Sequence, residues 1–228
     1  MITAYVTDCD GTLFDTEGMK SDAFGTLCEK IWDIEAKKAK AHWLARTGVG
    51  RRIKTDELRV RCSLAPMTDE EYESFNTELF DRLRDSYGQC QKYPGVYETL
   101  EFANTYFDHC IAFTGTPAAE MQQALEATGL ISYFEQVYGT GLHPKLKINF
   151  PDKTSHLSHI KETYGPTFIV IAGDAEEDMR VGREAGAYCI GLDTTKPAEV
   201  LLKAGAQVVV KPDELKGAIR DALESNKK

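Results

Sequence analysis

The stretch ITAYVTDCDGTLFDT, residues 2–16, decides the fold of this 228-residue chain. Its first part, Ile2 to Val6, is apolar and rich in β-branched residues, which is typical of a strand buried in a parallel sheet. The dipeptide Gly11-Thr12 predicts the turn that ends this strand. Ligands of open α/β sheets bind beyond the carboxyl ends of the strands, so we expect the chemistry of this protein at this turn.

Two carboxylates follow the predicted strand, one residue apart. Residues i and i+2 of an extended backbone point to the same side, so Asp8 and Asp10 are expected to converge while Cys9 faces away. Two like charges held that close need a cation or a shared proton. For this pair alone, the alternative is an ordinary loop with Asx-type turn bonds.

The composition argues against several functions and compartments. The chain has 27 Lys and Arg residues against 36 Asp and Glu residues, a net charge of −9, which argues against binding to nucleic acid or to anionic membranes. It has no early basic segment followed by an apolar run and no stretch typical of a membrane span, so we expect a soluble cytoplasmic protein. Six cysteines without Cys-x-x-Cys spacing are expected to be free, buried thiols: Cys9, Cys28, Cys62, Cys90, Cys110 and Cys189.

The segment between Thr16 and about Tyr93 lacks strand-like runs. Its patterns predict helices over residues 21–32, 34–45, 54–62 and 68–87. The last of these has a clear start, because Thr68 and Glu71 fit a capping box.

From Tyr93 onward, strands and helices alternate. Strands are predicted at residues 110–113, 137–138, 168–172, 188–192 and 207–210, and helices at residues 94–107, 117–128, 154–164, 178–185, 197–204 and 212–224. This alternation predicts an α/β fold with a mostly parallel sheet covered on both faces. We expect a core of residues 1–15 and 93–228, with the helical module of residues 16–92 hanging over the strand ends as a lid.

A hydroxyl group follows the next core strand, in the run Thr114-Gly115-Thr116-Pro117. Thr116 suits a helix N-cap and Pro117 suits the first helical position. Such a loop presents free backbone N–H groups and the Thr114 hydroxyl to a phosphate, and Gly115 is expected to contact the substrate there. The alternative is that both threonines only cap the helix.

Lys153 is our preferred cation for the phosphate, because a side chain that leads a helix is better fixed than one in a loop. A lysine at a helix start works against the helix dipole unless it binds an anion. Lys145 and Lys147, in the preceding loop, compete for this role. For each of the three, a solvated surface lysine is the alternative.

Further acids follow the later strand at residues 169–172. Asp174 stands at the exit of this strand, and Asp178 lies one helical turn further on. We expect Asp174 and Asp178 to join Asp8 and Asp10 in holding a hard cation through oxygen ligands, for which Mg²⁺ fits best.

Taken in order, these elements predict a phosphoryl-transfer site. Asp8 is expected to attack phosphorus and form an aspartyl phosphate, with Mg²⁺, Lys153 and Thr114 offsetting charge on the transferring oxygens. Asp10 is expected to protonate the leaving oxygen and then to activate water. A more apolar setting would raise the pKa of Asp10 for the acid role.

At this point the chain resembles the haloacid dehalogenase superfamily. The resemblance rests on residues 8–15, DCDGTLFD, followed in order by Thr114, Lys153 and the group Gly173, Asp174 and Asp178. Residues 93–96, YPGV, resemble the return from an inserted helical cap to the core. One departure is that no Lys-Pro dipeptide appears where many relatives carry their lysine.

The resemblance implies a Rossmann-like, doubly wound core with an inserted helical cap of the phosphoglycolate phosphatase-like subgroup. It also implies Mg²⁺ and a small phosphorylated metabolite as substrate, bound in part at Gly11 and Thr12. Within the family, an acid at Asp10 favours hydrolysis of phosphate monoesters or phosphomutase action.

The segment of residues 46–52, RTGVGRR, resembles the substrate-specificity loop of such caps. Its glycines allow a tight loop, and Arg46 and Arg51 are expected to reach an anionic part of the substrate. A plain turn between two helices, with solvated arginines, is the alternative.

Three other functions remain open. A sugar-phosphate mutase uses the same aspartyl phosphate but returns the phosphoryl group to the substrate. A receiver-type signalling domain shares the acids, hydroxyl and lysine but is much shorter, and a non-catalytic binding protein would not need the complete acid set. We expect a monomer or homodimer without nucleic-acid or membrane partners.

Overall fold

The computed structural model describes residues 1–47 and 49–226. Gly48 of the predicted 46–52 loop and the last two residues of the predicted core therefore lie outside the described residues. The described residues contain a sheet of seven strands. The strands are β1 Thr3–Thr7, β2 His109–Pro117, β3 Gln136–Leu142, β4 Asn149–Phe150, β5 Phe168–Gly173, β6 Tyr188–Leu192 and β7 Val208–Val210.

The strand order is β4-β3-β2-β1-β5-β6-β7, which puts the first strand of the chain at the centre. β1 pairs in parallel with β2 on one side and with β5 on the other. β2 with β3, β5 with β6 and β6 with β7 are also parallel, and β4 alone among the described strands pairs antiparallel. The predicted mostly parallel α/β sheet is thus confirmed.

Ten helices accompany these strands in the described part of the chain. Four of them, which we call the inserted helices, follow β1: α1 Glu17–Trp32, α2 Ala36–Ala45, α3 Arg51–Arg61 and α4 Asp69–Tyr87. The remaining six are α5 Val96–Tyr106, α6 Ala118–Ala127, α7 Lys153–Tyr164, α8 Glu176–Glu184, α9 Ala198–Ala204 and α10 Leu215–Ser225, with short 3₁₀ turns at Ile131–Tyr133 and Pro212–Glu214. No described helix is long and apolar enough to cross a membrane.

Side chains from β1 fill two separate cores, one on each face of the sheet. Tyr5 packs with Val170 and other apolar residues on one face, whereas Ala4 and Val6 pack with Ile171 on the opposite face. This alternation is the period of two expected for a strand buried on both faces.

Local signals explain several element boundaries. The Thr68 Oγ1 accepts a hydrogen bond from the Glu71 amide at 3.2 Å, and the Glu71 carboxylate accepts one from the Thr68 amide at 2.7 Å, so the predicted capping box is confirmed. The interpretation of Thr116 as an N-cap is wrong. β2 continues to Pro117, which pairs with Thr140, and α6 begins only after it.

All six cysteines are free, as expected. Cys9, Cys28, Cys110 and Cys189 are buried, but the other two, Cys62 and Cys90, are only partly covered. The short strand β4 was not expected, because two residues are too few to give a period.

Candidate active site

Three carboxylates meet at the carboxyl ends of the central strands. Asp8 follows β1, Asp174 follows β5, and Asp178 lies in the first turn of α8. One oxygen from each carboxylate lies within 4.8 Å of the other two, and all three residues are buried. They converge because β1 and β5 are parallel neighbours whose ends face the same edge of the sheet.

Lys153 lies among these acids at the start of α7. Its Nζ lies 3.0 Å from Asp8 Oδ1 and 2.5 Å from Asp178 Oδ1. Burial by itself would lower the pKa of Lys153, but Asp178 and Asp8 outweigh it and raise the pKa, so the ammonium stays charged. Of the three lysines considered from the sequence, the structure brings this one to Asp8, whereas Lys145 and Lys147 are exposed.

The lone lysine does not balance three buried acids. Burial raises the pKa of Asp8 well above its usual value; Lys153 opposes this rise and the neighbouring acids add to it. Burial and Asp178 raise the pKa of Asp174 to about 7, against a hydrogen bond from Thr195. Both shifts make protonation of Asp8 and Asp174 easier, as expected for buried carboxylates that lie close to one another.

Short contacts fix the position of the Asp174 carboxylate. Thr12 Oγ1 donates a hydrogen bond to it at 3.1 Å, and Thr195 Oγ1 donates another to its second oxygen. Gly11 approaches the same carboxylate so closely, with φ of +77°, that a Cβ there would overlap it. Thr12 and Gly11, expected to bind substrate, therefore contact Asp174 in this structure.

These residues fit a magnesium ion. Mg²⁺ prefers oxygen ligands, and the three clustered carboxylates supply them. Asp8 Oδ1 is buried, and its one close polar contact among the described residues is the ion pair with Lys153, which leaves a lone pair for a metal. Asp8, Asp174 and Asp178 are the side chains that would hold the ion.

Asp10 lies outside this cluster, although we expected it among the metal ligands. Its carboxylate forms an ion pair with Lys20 and accepts hydrogen bonds from Thr16 Oγ1 at 2.7 Å and Thr116 Oγ1 at 2.9 Å. Lys20 Nζ also donates to Thr116 Oγ1 at 2.9 Å. Asp8 and Asp10, which are one residue apart in the sequence, thus pair with different lysines, Lys153 and Lys20.

The expected rise of the pKa of Asp10 is wrong. Burial by itself would raise this pKa, but the Lys20 ammonium and the hydroxyls of Thr16 and Thr116 outweigh it and lower the pKa. The expectation failed because it assumed an apolar setting. Asp10 is instead ionised and paired.

Thr114 and Gly115 lie between the two groups of charges. Thr114 is 1% exposed, its Oγ1 lies 3.5 Å from Asp10 Oδ2, and it accepts a hydrogen bond from the Thr116 amide at 3.1 Å. Gly115 lies beside it on the same pocket wall. Both residues therefore line the same pocket as Asp8.

A narrow pocket, with a cavity volume of about 30 Å³, opens above Asp8. The strand ends form its floor. Its other walls come from the inserted helices and their loops and include Glu17, Lys20, Trp43, Thr47, Arg51 and Lys54.

The two arginines expected to contact substrate are placed differently from each other. Arg46 does not line the pocket; its guanidinium pairs with Glu57 at 2.6 Å. Arg51 lines the pocket, but its guanidinium donates to both oxygens of Glu120, at 2.8 and 2.7 Å. In this structure neither guanidinium is free for an anion.

Sequence reasoning missed Lys20, Lys54 and Thr195. The predicted first helix began at residue 21, whereas α1 begins at Glu17, so Lys20 lay outside the predicted helix. Reading Thr16 as the last residue before the helix would have placed Lys20 in its first turn. Lys54 was the first residue of the predicted helix over residues 54–62, the same signal that pointed to Lys153, whereas Thr195 carries no such local signal.

Comparisons with known proteins agree with this geometry. Residues 2–186 match the model of the haloacid dehalogenase-like hydrolases. A phosphorylated carbohydrates phosphatase of Thermotoga maritima is 25% identical over 228 residues, covering 96% of this chain and 99% of that protein. Phosphoglycolate phosphatase 1 of Pseudomonas aeruginosa is 25% identical over 193 residues, covering 81% of this chain and 67% of that protein.

Solved structures also share the fold. The β-phosphoglucomutase of Clostridium difficile superposes with a TM-score of 0.77 and 19% identity, with 99% of each chain covered. The family model spans most of the chain and includes the acids and the lysine around Asp8. The chain therefore belongs to the haloacid dehalogenase-like hydrolase family.

Proposed function

We propose that this protein is a Mg²⁺-dependent phosphatase that hydrolyses a small phosphate monoester through an aspartyl phosphate on Asp8. The observation that carries the proposal is the buried cluster of Asp8, Asp174, Asp178 and Lys153 at the floor of a small pocket. The names of the Thermotoga and Pseudomonas relatives, both phosphatases, support it.

In the first step, an oxygen of Asp8 forms a bond to phosphorus while the bond from phosphorus to the ester oxygen breaks. Lys153 lies 3.0 Å from Asp8 and stabilises the negative charge on the phosphoryl oxygens. The Thr114 hydroxyl and the amide N–H groups after β2 supply further donors. Asp10, protonated for this step, gives one proton to the leaving oxygen and becomes a carboxylate.

In the second step, water attacks the phosphorus of the aspartyl phosphate, and the bond between phosphorus and Asp8 breaks. Asp10, left as a carboxylate by the first step, accepts the proton of this water. Giving a proton to the leaving oxygen in the first step requires the contact of Asp10 with Lys20 to weaken. Lys20 belongs to α1, so this contact depends on the position of the inserted helices.

Mg²⁺ bound to Asp8, Asp174 and Asp178 would supply positive charge to the phosphoryl oxygens and would keep Asp8 ionised. The chain's own residues fix where that charge acts. Thr12 and Thr195 hold the carboxylate of Asp174, and Lys153 holds Asp178.

We also propose that residues 1–15 and 93–228 form the catalytic core and that residues 16–92 form a cap over it. The inserted helices line one side of the pocket, and the strand ends line the other. A cap in this position would exclude water while the ester bond is broken. The free thiols favour a reducing compartment such as the cytoplasm.

The test is phosphate release from a panel of small esters, with excess Mg²⁺ and with a chelator. We expect release that the chelator abolishes, and the Asp8→Asn variant is expected to lose at least about a thousandfold in kcat/KM. Asp15→Asn, a matched change at an exposed acid of the same segment, should keep full activity.

Two results would contradict the proposal. Full turnover by Asp8→Asn would exclude the aspartyl phosphate. Conversion of a sugar phosphate to its isomer, without release of inorganic phosphate, would identify a mutase.

A further inference from the structure

Lys54 is a buried ammonium in the pocket that has no carboxylate partner. Four cationic side chains line the pocket, and three of them form ion pairs: Lys20 with Asp10, Arg51 with Glu120, and Lys153 with Asp8 and Asp178. Lys54 is only 4% exposed, yet no carboxylate oxygen of the described residues lies within 4.0 Å of its Nζ. A buried charge without a partner is costly, so its presence in a pocket calls for a ligand.

The neighbours of Lys54 do not neutralise it. Its Nζ lies 3.9 Å from the centre of the Trp43 ring, a cation–π contact. Burial lowers its pKa to about 8; Glu17 opposes this most strongly, Lys20 and Arg51 add to it, and Asp10 also opposes it. A hydrogen bond from Trp43 Nε1 to Glu17 Oε2, at 3.0 Å, positions the Glu17 carboxylate, which does not come within 4.0 Å of Lys54 Nζ.

The position of Lys54 in α3 adds to the free-energy cost of its buried charge. Its amide donates to the Gly50 carbonyl at 3.2 Å, so Lys54 lies in the first turn, where the helix dipole is positive. This turn contains no acid. His42 Nε2 lies 2.8 Å from the Lys54 carbonyl oxygen and holds the backbone of Lys54 in place.

A second polar group in the same pocket also lacks a partner. Thr47 Oγ1 is buried, and no described atom makes a hydrogen bond with it, although Thr47 lines the pocket beside Lys54. Buried hydroxyls are almost always hydrogen-bonded, so this one is expected to meet a ligand atom. The two groups lie on the side formed by the inserted helices, opposite the floor that holds Asp8.

We propose that Lys54 binds a second anionic group of the substrate, a carboxylate or a second phosphate, while the phosphate to be cleaved lies at Asp8. This inference rests on the proposed phosphatase function and narrows its substrate class. The substrate is a phosphate ester with two anionic ends rather than the phosphate of a neutral sugar. Under this inference, 2-phosphoglycolate and sugar bisphosphates are model substrates, whereas sugar monophosphates are not.

The test compares esters that differ only in the second anion. 2-Phosphoglycolate is paired with ethyl phosphate, and glucose 1,6-bisphosphate is paired with glucose 6-phosphate, so the two pairs distinguish a carboxylate from a phosphate. For the pair whose second anion fits, we expect Lys54→Gln to lower kcat/KM for the ester with two anionic groups by about tenfold to a hundredfold, mainly through KM. The kcat/KM for the ester without the second anion should stay within about twofold. Lys54→Arg should keep most of the preference.

The matched control is Lys37→Gln, which makes the same change at an exposed lysine outside the pocket and should alter neither pair. Lys54→Gln is expected to unfold at the same temperature as the unmodified protein or higher, because it removes an unpaired buried charge. Equal loss on both members of each pair would overturn the inference. A preference of the unmodified protein for the esters without a second anion would also overturn it.

A binding measurement keeps this inference separate from the phosphatase proposal. Calorimetry on Asp8→Asn, with and without Lys54→Gln, measures the affinity for 2-phosphoglycolate, ethyl phosphate and the two glucose phosphates without turnover. A preference for a dianionic ester that disappears with Lys54→Gln supports the site even if no ester is hydrolysed. Equal affinities within both pairs would exclude it even if phosphate is released.

Discussion

Replacing Glu120 by Leu tests the buried ion pair that joins the inserted helices to the sheet. Arg51 lies in α3 and Glu120 in α6, and each side chain is only 3% exposed. Both guanidinium Nη atoms donate to the carboxylate, at 2.8 and 2.7 Å, and Tyr87 donates a third bond at 3.2 Å. Although burial lowers the pKa of a guanidinium, Glu120 raises the pKa of Arg51, so the charge persists.

The expected loss in the free energy of unfolding comes from the Arg51 charge that Glu120→Leu leaves without its carboxylate. Leu has a volume close to that of Glu, so packing changes little, but Arg51 becomes a buried cation without a carboxylate, left with a hydrogen bond to the neutral Asn76 amide. Removing one member of a buried pair costs about 3–5 kcal/mol. For a chain of this length, about 4 kcal/mol corresponds to a fall of about 8–16 °C in the unfolding midpoint.

The assay is urea and thermal unfolding followed by tryptophan fluorescence and by circular dichroism. Both tryptophans of the chain, Trp32 and Trp43, lie in the inserted helices, so fluorescence reports on this part of the molecule. The control is Glu78→Leu, which breaks the exposed pair of Glu78 with Lys30 and should cost no more than about 1 kcal/mol.

The double variant Arg51→Met/Glu120→Leu separates the pair from its surroundings. Because it buries no charge, we expect it to be more stable than Glu120→Leu alone. A cost below about 1 kcal/mol for Glu120→Leu would refute the reasoning. Equal instability of the single and double variants would show that packing, rather than the unpaired charge, is responsible.

Three further outcomes are expected. Lys20→Met removes the cation that lowers the pKa of Asp10, so the limb of the pH–rate profile that reports Asp10 should move to higher pH, and Lys20→Arg should not move it. Thr195→Val loosens Asp174 and should raise the Mg²⁺ concentration for half-maximal phosphate release about tenfold; an unchanged value would argue against a ligand role of Asp174. Burial lowers the pKa of His156 to about 3, so the unfolded chain binds more protons between about pH 3 and 6.5 and stability is lost as the pH falls through this range. Urea unfolding at pH 7 and pH 5 measures this fall in the free energy of unfolding, and it should be smaller by about 2 kcal/mol in His156→Leu than in the unmodified protein. The same pH dependence in both proteins would contradict the lowered pKa of His156.

Several features of the fold and the site could be predicted from short stretches of sequence. The apolar run before Asp8 predicted a buried strand, and it lies at the centre of the sheet. The acids that follow two such strands had to meet, because parallel neighbours end at one edge of the sheet. The Thr68 capping box depends on a spacing of three residues, which the sequence displays directly.

Contacts between distant parts of the chain could not be predicted in this way. Asp10 was expected to share a cation with Asp8, but the folded chain gives it Lys20 from α1. Arg51 was expected to reach the substrate, but it meets Glu120, which lies 69 residues away. No periodicity or spacing relates such partners.

Strand, turn and helix signals act over a few positions, so the sequence alone indicated that acids and a lysine gather at the strand ends. Only the tertiary structure decided how the charges are paired, because that depends on how the inserted helices pack over the strand ends. Burial sets the cost of each unpaired charge, and burial exists only in the folded chain. The state of Asp10 and the unpaired ammonium of Lys54 are therefore properties of the fold.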